Sequence, residues 1–328
     1  MLQTIFSFET KRWLKSWTFY IFLIIFGGLG FLVMAASVGY FDSLSVTTTS
    51  ITMMNSPIAI SGFLNSLSTL INFIVPTVIG ATIYRDFKNN VHTVLFSYPF
   101  GKRDYLLGKF FSGLFVTTLI TLSIALGMIL ATVLPFANQE LLAPFNLWSY
   151  LQAFIYFVIP NIFIIGSFTF LLVTFTRNEY VGYIFVIITM IANGILSATG
   201  NVDDMYPFTF YDYSGLTALG HVTEYWTINE QNVKNIPFEG AILYNRLLWV
   251  AIGFLVFLAT YVFFKFDFNP LTLKKKSKGE RIVKNNFNTD KAVDIPQVSF
   301  DYSFIRQLKT AWSLSGIEFK SIRKNWLF

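Results

Sequence analysis

The chain has 328 residues, of which 54% are hydrophobic and 13% are charged, and its mean hydropathy is +0.56. Soluble domains carry about 25% charged residues, so this composition indicates a membrane protein. The absence of cysteine excludes disulfides and thiolate metal sites. The net charge of +6 fits a membrane-topology bias better than nucleic-acid binding, because the basic residues lie almost entirely on one side of the predicted spans.

The first segment, 1–16, predicts a helix that lies in the membrane interface. Leu2 and Ile5 can line one side of it, while Lys11 and Lys15 face water. The alternative is a simple extension of the first span. No small-residue cleavage site follows a short apolar core, so the segment does not read as a cleavable signal peptide.

Six apolar stretches are long enough to cross a bilayer, which takes about 20 residues. They are Trp17–Val38, Leu64–Tyr84, Gly108–Val133, Leu151–Thr174, Val181–Thr199 and Leu247–Phe264. Of the 24 Lys and Arg residues, all but Lys234 and Arg246 fall on the side that holds both termini. The positive-inside rule therefore predicts that both termini are cytoplasmic and that 17–266 forms a six-span domain.

The longest outside segment, Gly200–Asn245, is rich in aromatic residues and predicts a small ordered extracytoplasmic cap. The predicted fold is thus an all-α membrane protein with six transmembrane helices, an interfacial N-terminal helix and this cap. Residues 267–309 read as a basic cytoplasmic linker, and its polybasic run at 274–278 suits anionic membrane lipids.

The last segment, 310–328, repeats the pattern that precedes the first span. Glu318 and Trp326 match Glu9 and Trp17 without gaps. An internal repeat that stops at its start predicts a truncated or split two-half protein, which would pair with a second half or with a copy of itself.

The predicted spans carry no ionisable residue in their interiors, which argues against a proton relay. Their notable polar residues are Asn72, Asn161 and Asn193, for which we weigh helix–helix hydrogen bonding against a role in a translocation path. The chain lacks a G-x-x-x-x-G-K-[ST] phosphate loop and an H-E-x-x-H zinc motif, so we expect no enzyme activity, cofactor or metal site in it.

The polar stretch between the second and third spans, Tyr84–Phe111, contains a short amphipathic pattern. Phe87, Val91 and Leu95 fall at helical spacing and predict one apolar face. Such a helix at the membrane surface can receive a soluble partner. The alternative is a solvated loop with an incidental helical turn.

This stretch resembles the first cytoplasmic loop of bacterial ABC-2 type permeases. The resemblance is carried by Arg85-Asp86, the Tyr98-Pro99 break and the run Arg103-Asp104-Tyr105-Leu106-Leu107-Gly108-Lys109. It implies a coupling helix that docks on a separate ABC ATPase subunit, which would bind the ATP and Mg. The docking residues that it implies are Arg85, Asp86, Phe87, Val91, Leu95, Arg103 and Asp104.

A second resemblance lies in Thr223–Gly253 and rests mainly on Tyr225-Trp226-Thr227 and Asn245-Arg246-Leu247-Leu248-Trp249. It is to permeases of Bacteroidota in which two ABC-2 type halves are followed by an M1-family aminopeptidase. It implies one half of an ATP-driven exporter in the bacterial cytoplasmic membrane, without peptidase activity in these residues. The competing interpretation is a non-transporting membrane anchor or scaffold for an envelope protease or assembly.

Overall fold

The computed structural model divides the chain into two compact units, Met1–Leu273 and Lys274–Phe328. The residues that it describes are 1–41, 52–98, 100–199, 206–266, 309–310 and 312–316. Within these ranges the chain is helical and contains no strand. The predicted linker 267–309 and repeat 310–328 fall almost wholly outside them, apart from a short helical piece at 312–316.

The larger unit contains thirteen α-helices in its described part. In chain order, they are α1 (Leu2–Leu14), α2 (Trp17–Ser37), α3 (Pro57–Ile71), α4 (Ala81–Lys88), α5 (His92–Leu95), α6 (Lys102–Val133), α7 (Leu147–Ala153), α8 (Ile159–Thr176), α9 (Glu179–Thr199), α10 (Phe208–Tyr211), α11 (Leu216–Thr223), α12 (Ile228–Val233) and α13 (Gly240–Phe263).

Four helices of the described chain are long and apolar enough to cross a membrane. These are α2, α6, α13 and the continuous helix Leu147–Thr176, which contains α7 and α8. A bent pair, Pro57–Ile71 with Pro76–Lys88, makes a fifth if it is counted as one span. The remaining predicted span, Val181–Thr199, lies in α9, whose apolar part Glu179–Ile195 is shorter. The described part of the chain is therefore all-helical, with four or five helices that could each cross a membrane, as in a multi-pass membrane protein.

Two of the spans are interrupted beside a proline. Pro76 opens a π-helical turn, Pro76–Gly80, and the two parts of its span meet at 47°. Pro160 follows another π-helical turn, Phe154–Val158, which joins α7 to α8. Proline has no N–H to donate and clashes with the preceding turn, so the regular hydrogen-bond ladder shifts at these points. The bend separates α3 from α4, the part of that span that leads into the loop before α6.

Glycines let α2 and α6 pack with their backbones in contact. A Cβ atom at Gly30 would collide with the carbonyl oxygen of Ile124, and one at Gly127 would collide with that of Gly27. Small residues at helix crossings let two backbones approach closely. Such contacts are common between helices in a membrane, where the hydrophobic effect does not drive helix association. The long helix α6 also contacts α1, α3 and α8, so it is the central element of the bundle.

We expect Gly30→Ala to destabilise the protein by about 1–3 kcal/mol, because the added methyl group must push α2 away from the α6 backbone. Gly28→Ala is the matched control, since a Cβ there meets nothing within 4 Å. Thermal unfolding of both variants in detergent measures the difference. Equal melting temperatures for the two variants would show that the α2–α6 contact is not tight.

Candidate functional site

The loop between the bent span and α6 is built from two short helical pieces. The helix α4 ends at Lys88, and Asn90 adopts a left-handed conformation with φ of 54° before α5 begins. Asparagine tolerates this conformation better than most residues, so the Asn89-Asn90 pair ends the helix. The single amphipathic helix predicted across Phe87 and Val91 is therefore wrong: these residues lie on either side of a turn.

A buried lysine holds this loop to the N-terminal helix. The Lys109 side chain on α6 is only 2% exposed, and its Nζ donates to Glu9 Oε1 at 2.7 Å and to the carbonyl oxygen of Thr82 at 2.7 Å. Its third partner is Asp86 Oδ2 at 2.8 Å. Tyr105 donates its hydroxyl to the same carboxylate oxygen at 2.8 Å. All three ammonium protons thus have acceptors, which a buried cation requires.

Two arginines surround the other oxygen of Glu9. Arg12 Nη2 lies 3.1 Å and Arg85 Nη2 lies 3.6 Å from Glu9 Oε2. The Arg85 guanidinium also lies over the Trp13 ring, 5.4 Å from its centroid. These contacts join α1, α4 and α6 around one ionic group, which we call the ion cluster: Glu9, Arg12, Arg85, Asp86 and Lys109.

Aromatic rings hold the same loop to the end of α13. Phe96 and Phe100 follow α5, and both contact Phe266 and Tyr105, with ring centroids 4.8 to 6.1 Å apart. Tyr105 in turn stacks on Phe264 at 5.8 Å. The loop is therefore fixed on one side by charges and on the other by ring packing.

The residues predicted to dock a partner divide into two groups. Asp86 is 6% exposed and belongs to the ion cluster, and Phe87 is half-buried against His92 and beneath the Arg177 guanidinium. Val91 and Arg103 are exposed, while Arg85, Leu95 and Asp104 are half-buried. Val94 and Tyr98, which are not among the predicted docking residues, are exposed, at 59% and 61%.

A second buried polar group lies at the start of α13. Arg246 is 3% exposed and donates to Asn161 Oδ1 on α8 at 2.9 Å and to the carbonyl oxygen of Tyr213 at 2.9 Å. Asn161 donates to Asn65 Oδ1 on α3 at 2.9 Å, and Asn72 donates to the Tyr213 hydroxyl at 3.2 Å. We call these residues, with Asn245, the arginine network.

The arginine network attaches the segment of α10 and α11, which lies within the predicted cap, to the spans. Asn245 donates to the carbonyl oxygens of Thr209 and, at 2.8 Å, Asp212, both in the cap. Gly215 has a φ of 75° and packs against the Arg246 guanidinium, where a Cβ would collide with it. Burial raises the pKa of Tyr213 to about 12, so its phenol stays protonated at neutral pH. Asn72 and Asn161 thus hydrogen-bond to other protein groups in this structure.

Two charged residues are buried in helices that extend beyond the predicted spans. The helix α13 begins at Gly240, ahead of the predicted span Leu247–Phe264, and buries Arg246. The helix α6 begins at Lys102, ahead of the predicted span Gly108–Val133, and buries Lys109. The third predicted path residue, Asn193, lies half-buried on α9.

The chain matches no protein-family model and no curated protein.

We expect Lys109→Met to destabilise the protein by about 3–5 kcal/mol, because it leaves the carboxylates of Glu9 and Asp86 buried without their cation. Arg103→Met, on the same helix at an exposed position, is the matched control and should cost less than about 0.5 kcal/mol. Adding Glu9→Gln and Asp86→Asn to Lys109→Met should recover part of the loss. Thermal unfolding in detergent tests this, and a Lys109→Met protein as stable as the control would contradict it.

Proposed function

We propose that the chain is one half of the membrane-spanning permease of an ATP-driven exporter of the ABC-2 type. The observation that carries this proposal is the construction of the loop between α4 and α6, the stretch on which the family resemblance rests. Arg85 and Asp86 on α4 and Lys109 on α6, which flank the loop, take part in the ion cluster, while Val91 and Val94 in the loop are exposed. A surface that is fixed from within and apolar outside suits a soluble partner that pushes on it.

The exposed part of the loop is the proposed docking surface for a separate ATPase subunit, which would bind ATP and Mg. It consists of Val91, Val94 and Tyr98, with Leu95 at its edge and exposed Arg103 nearby in sequence. Arg85, Asp86 and Phe87 support this surface from behind. In the proposal, their role is to hold the surface, and the contact with the partner belongs to the exposed residues.

The contacts of the loop indicate how a push would travel into the bundle. Asp86 and Thr82 join the loop to the bent span, Lys109 joins it to α6, and Phe264 joins it to the end of α13. Displacement of the loop therefore displaces three spans together. The break between Ile71 and Pro76 provides a position where the bent span can change its angle.

The proposed setting is the bacterial cytoplasmic membrane, with both termini and the loop on the cytoplasmic side. The charge asymmetry supports it, since basic residues concentrate on the loop side and acids such as Glu140 and Glu239 lie on the other. A single half has an unpartnered helical surface, so the proposal includes a second permease half or a second copy of the chain. Stimulation of an ATPase by the chain separates this function from that of a non-transporting anchor or scaffold.

We expect the double variant Val91→Asp/Val94→Asp to lose the ATPase partner by well over tenfold in affinity. Each buried aliphatic side chain contributes about 1.5–3 kcal/mol, and a buried carboxylate adds a desolvation cost. To test this, a photocrosslinking residue replaces Tyr98 in cells, and the captured protein is identified by mass spectrometry. The captured protein must carry a G-x-x-x-x-G-K-[ST] loop, and its ATPase activity must rise when the purified chain is added.

Thr93→Asp is the control, because it adds a carboxylate to the same loop at an exposed polar position. It should retain capture and stimulation. If the double variant stimulates the ATPase as well as the control does, the docking surface is wrong. If no phosphate-loop protein is captured by the wild-type chain, the exporter proposal fails with it.

A further inference from the structure

A groove of about 430 Å³ runs between α1 and the loop. Its lining combines apolar side chains, among them Ile5, Phe8, Val91 and Leu95, with the five residues of the ion cluster. Sites for small organic molecules have volumes of about 300–1,000 Å³. The groove is therefore large enough for a headgroup and the upper part of one acyl chain. A lining of apolar and charged side chains suits an amphipathic ligand.

The charges at the groove do not cancel. Three cations, Arg12, Arg85 and Lys109, face two carboxylates, Glu9 and Asp86. Lys109 shares its protons between both carboxylates and a backbone carbonyl, so the surplus positive charge falls on the two arginines. This surplus calls for an anion.

The two guanidinium groups also retain hydrogen-bonding capacity. They approach the same oxygen, Glu9 Oε2, but neither Arg12 Nη2 nor Arg85 Nη2 makes a hydrogen bond of good geometry, and Arg12 Nε has no acceptor. Both arginine side chains are about one-third exposed, at 34% and 29%. Guanidinium groups bind phosphate oxygens in pairs with directed hydrogen bonds, which a lysine does not reproduce.

We propose that this groove is a binding site for an anionic phospholipid. Its phosphate would lie between Arg12 and Arg85, and one acyl chain would follow Ile5 and Phe8 along α1. A zwitterionic lipid brings a cation to a site that already has a positive surplus, and so fits less well. A free anion would leave the apolar side chains uncovered. Such a lipid would bridge α1 and α4, so its presence would strengthen the attachment of the loop.

This inference rests on the membrane placement in the proposed function but not on the ATPase. The test is lipid binding by the purified full chain, measured by native mass spectrometry in detergent. Dioleoyl phosphatidylglycerol and dioleoyl phosphatidylcholine serve as ligands with identical acyl chains. We expect phosphatidylglycerol to bind with an affinity at least about tenfold higher, since both lipids offer the same phosphate but phosphatidylcholine brings a quaternary ammonium close to the two arginines.

The variant Arg12→Gln/Arg85→Gln should abolish this preference. The matched control is Lys11→Gln/Lys15→Gln, which removes the same charge from exposed positions on or beside α1 and should retain it. Thr4→Trp, which narrows the groove and leaves the charges intact, should weaken phosphatidylglycerol binding by about tenfold even if the arginine variant fails to fold.

Three results would overturn the inference. The first is equal affinity for the two lipids in the wild-type chain. The second is a preference that survives in the arginine variant to the same degree as in the lysine control. The third is full displacement of the lipid by inorganic phosphate, which would show a site for a free anion. None of these results depends on whether an ATPase docks on the loop.

Discussion

A lysine ammonium taken out of water costs several kcal/mol unless acceptors take up its protons, and Lys109 meets this requirement only when three separate segments come together. Glu9 brings α1, and Thr82 and Asp86 bring the end of the bent span. If any one of them moves away, a buried charge is left unpaired. This constraint holds α1, α4, α6 and the loop between α4 and α6 together as one rigid group. The position of the exposed α5 surface and the shape of the groove beside α1 both depend on these contacts.

At the opposite end of the bundle, a different buried cation is also held by acceptors from several segments. Arg246 binds carbonyl and amide oxygens from α8, the cap and its neighbour Asn245. Lys102, at the start of α6, donates to the carbonyl oxygen of Val262 near the end of α13. At ~1.5 Å per residue, ~24 Å of helix separates Arg246 from Val262, close to the thickness of a bilayer's hydrocarbon core. Arg246 and the Lys102–Val262 contact thus lie far apart along the bundle, and apolar helices connect them.

The apolar composition and the lengths of the hydrophobic runs were enough to predict an all-helical membrane protein. Most of the predicted spans coincide with long helices in the structure. The burial of Lys109 and Arg246 was not predicted, because hydropathy locates apolar runs but does not show which charged residues at their ends are buried. Their burial depends on partners distant in sequence: Glu9 and Lys109 are 100 residues apart. Nothing in either segment alone indicates the pairing.

The loop shows a second limit of sequence reasoning. The apolar residues from Phe87 to Leu95 keep helical spacing, so periodicity alone predicts one continuous helix. The Asn89-Asn90 pair was the available signal for a turn, since asparagine favours the left-handed conformation that Asn90 adopts. The turn directs Phe87 inward and leaves Val91 outside. Which loop residues can meet a partner is therefore decided by one backbone conformation.

The central claim is that the ion cluster fixes the loop to the N-terminal helix. Spin labels on single cysteines introduced at Lys11 and Thr93, both exposed, report the distance between α1 and α5 by pulsed electron resonance, and the natural chain has no cysteine to interfere. The account predicts a single narrow distance distribution in the otherwise unaltered chain in nanodiscs, and a broad one when Lys109→Met is added. A broad distribution without that substitution, or a narrow one that survives it, would contradict the account.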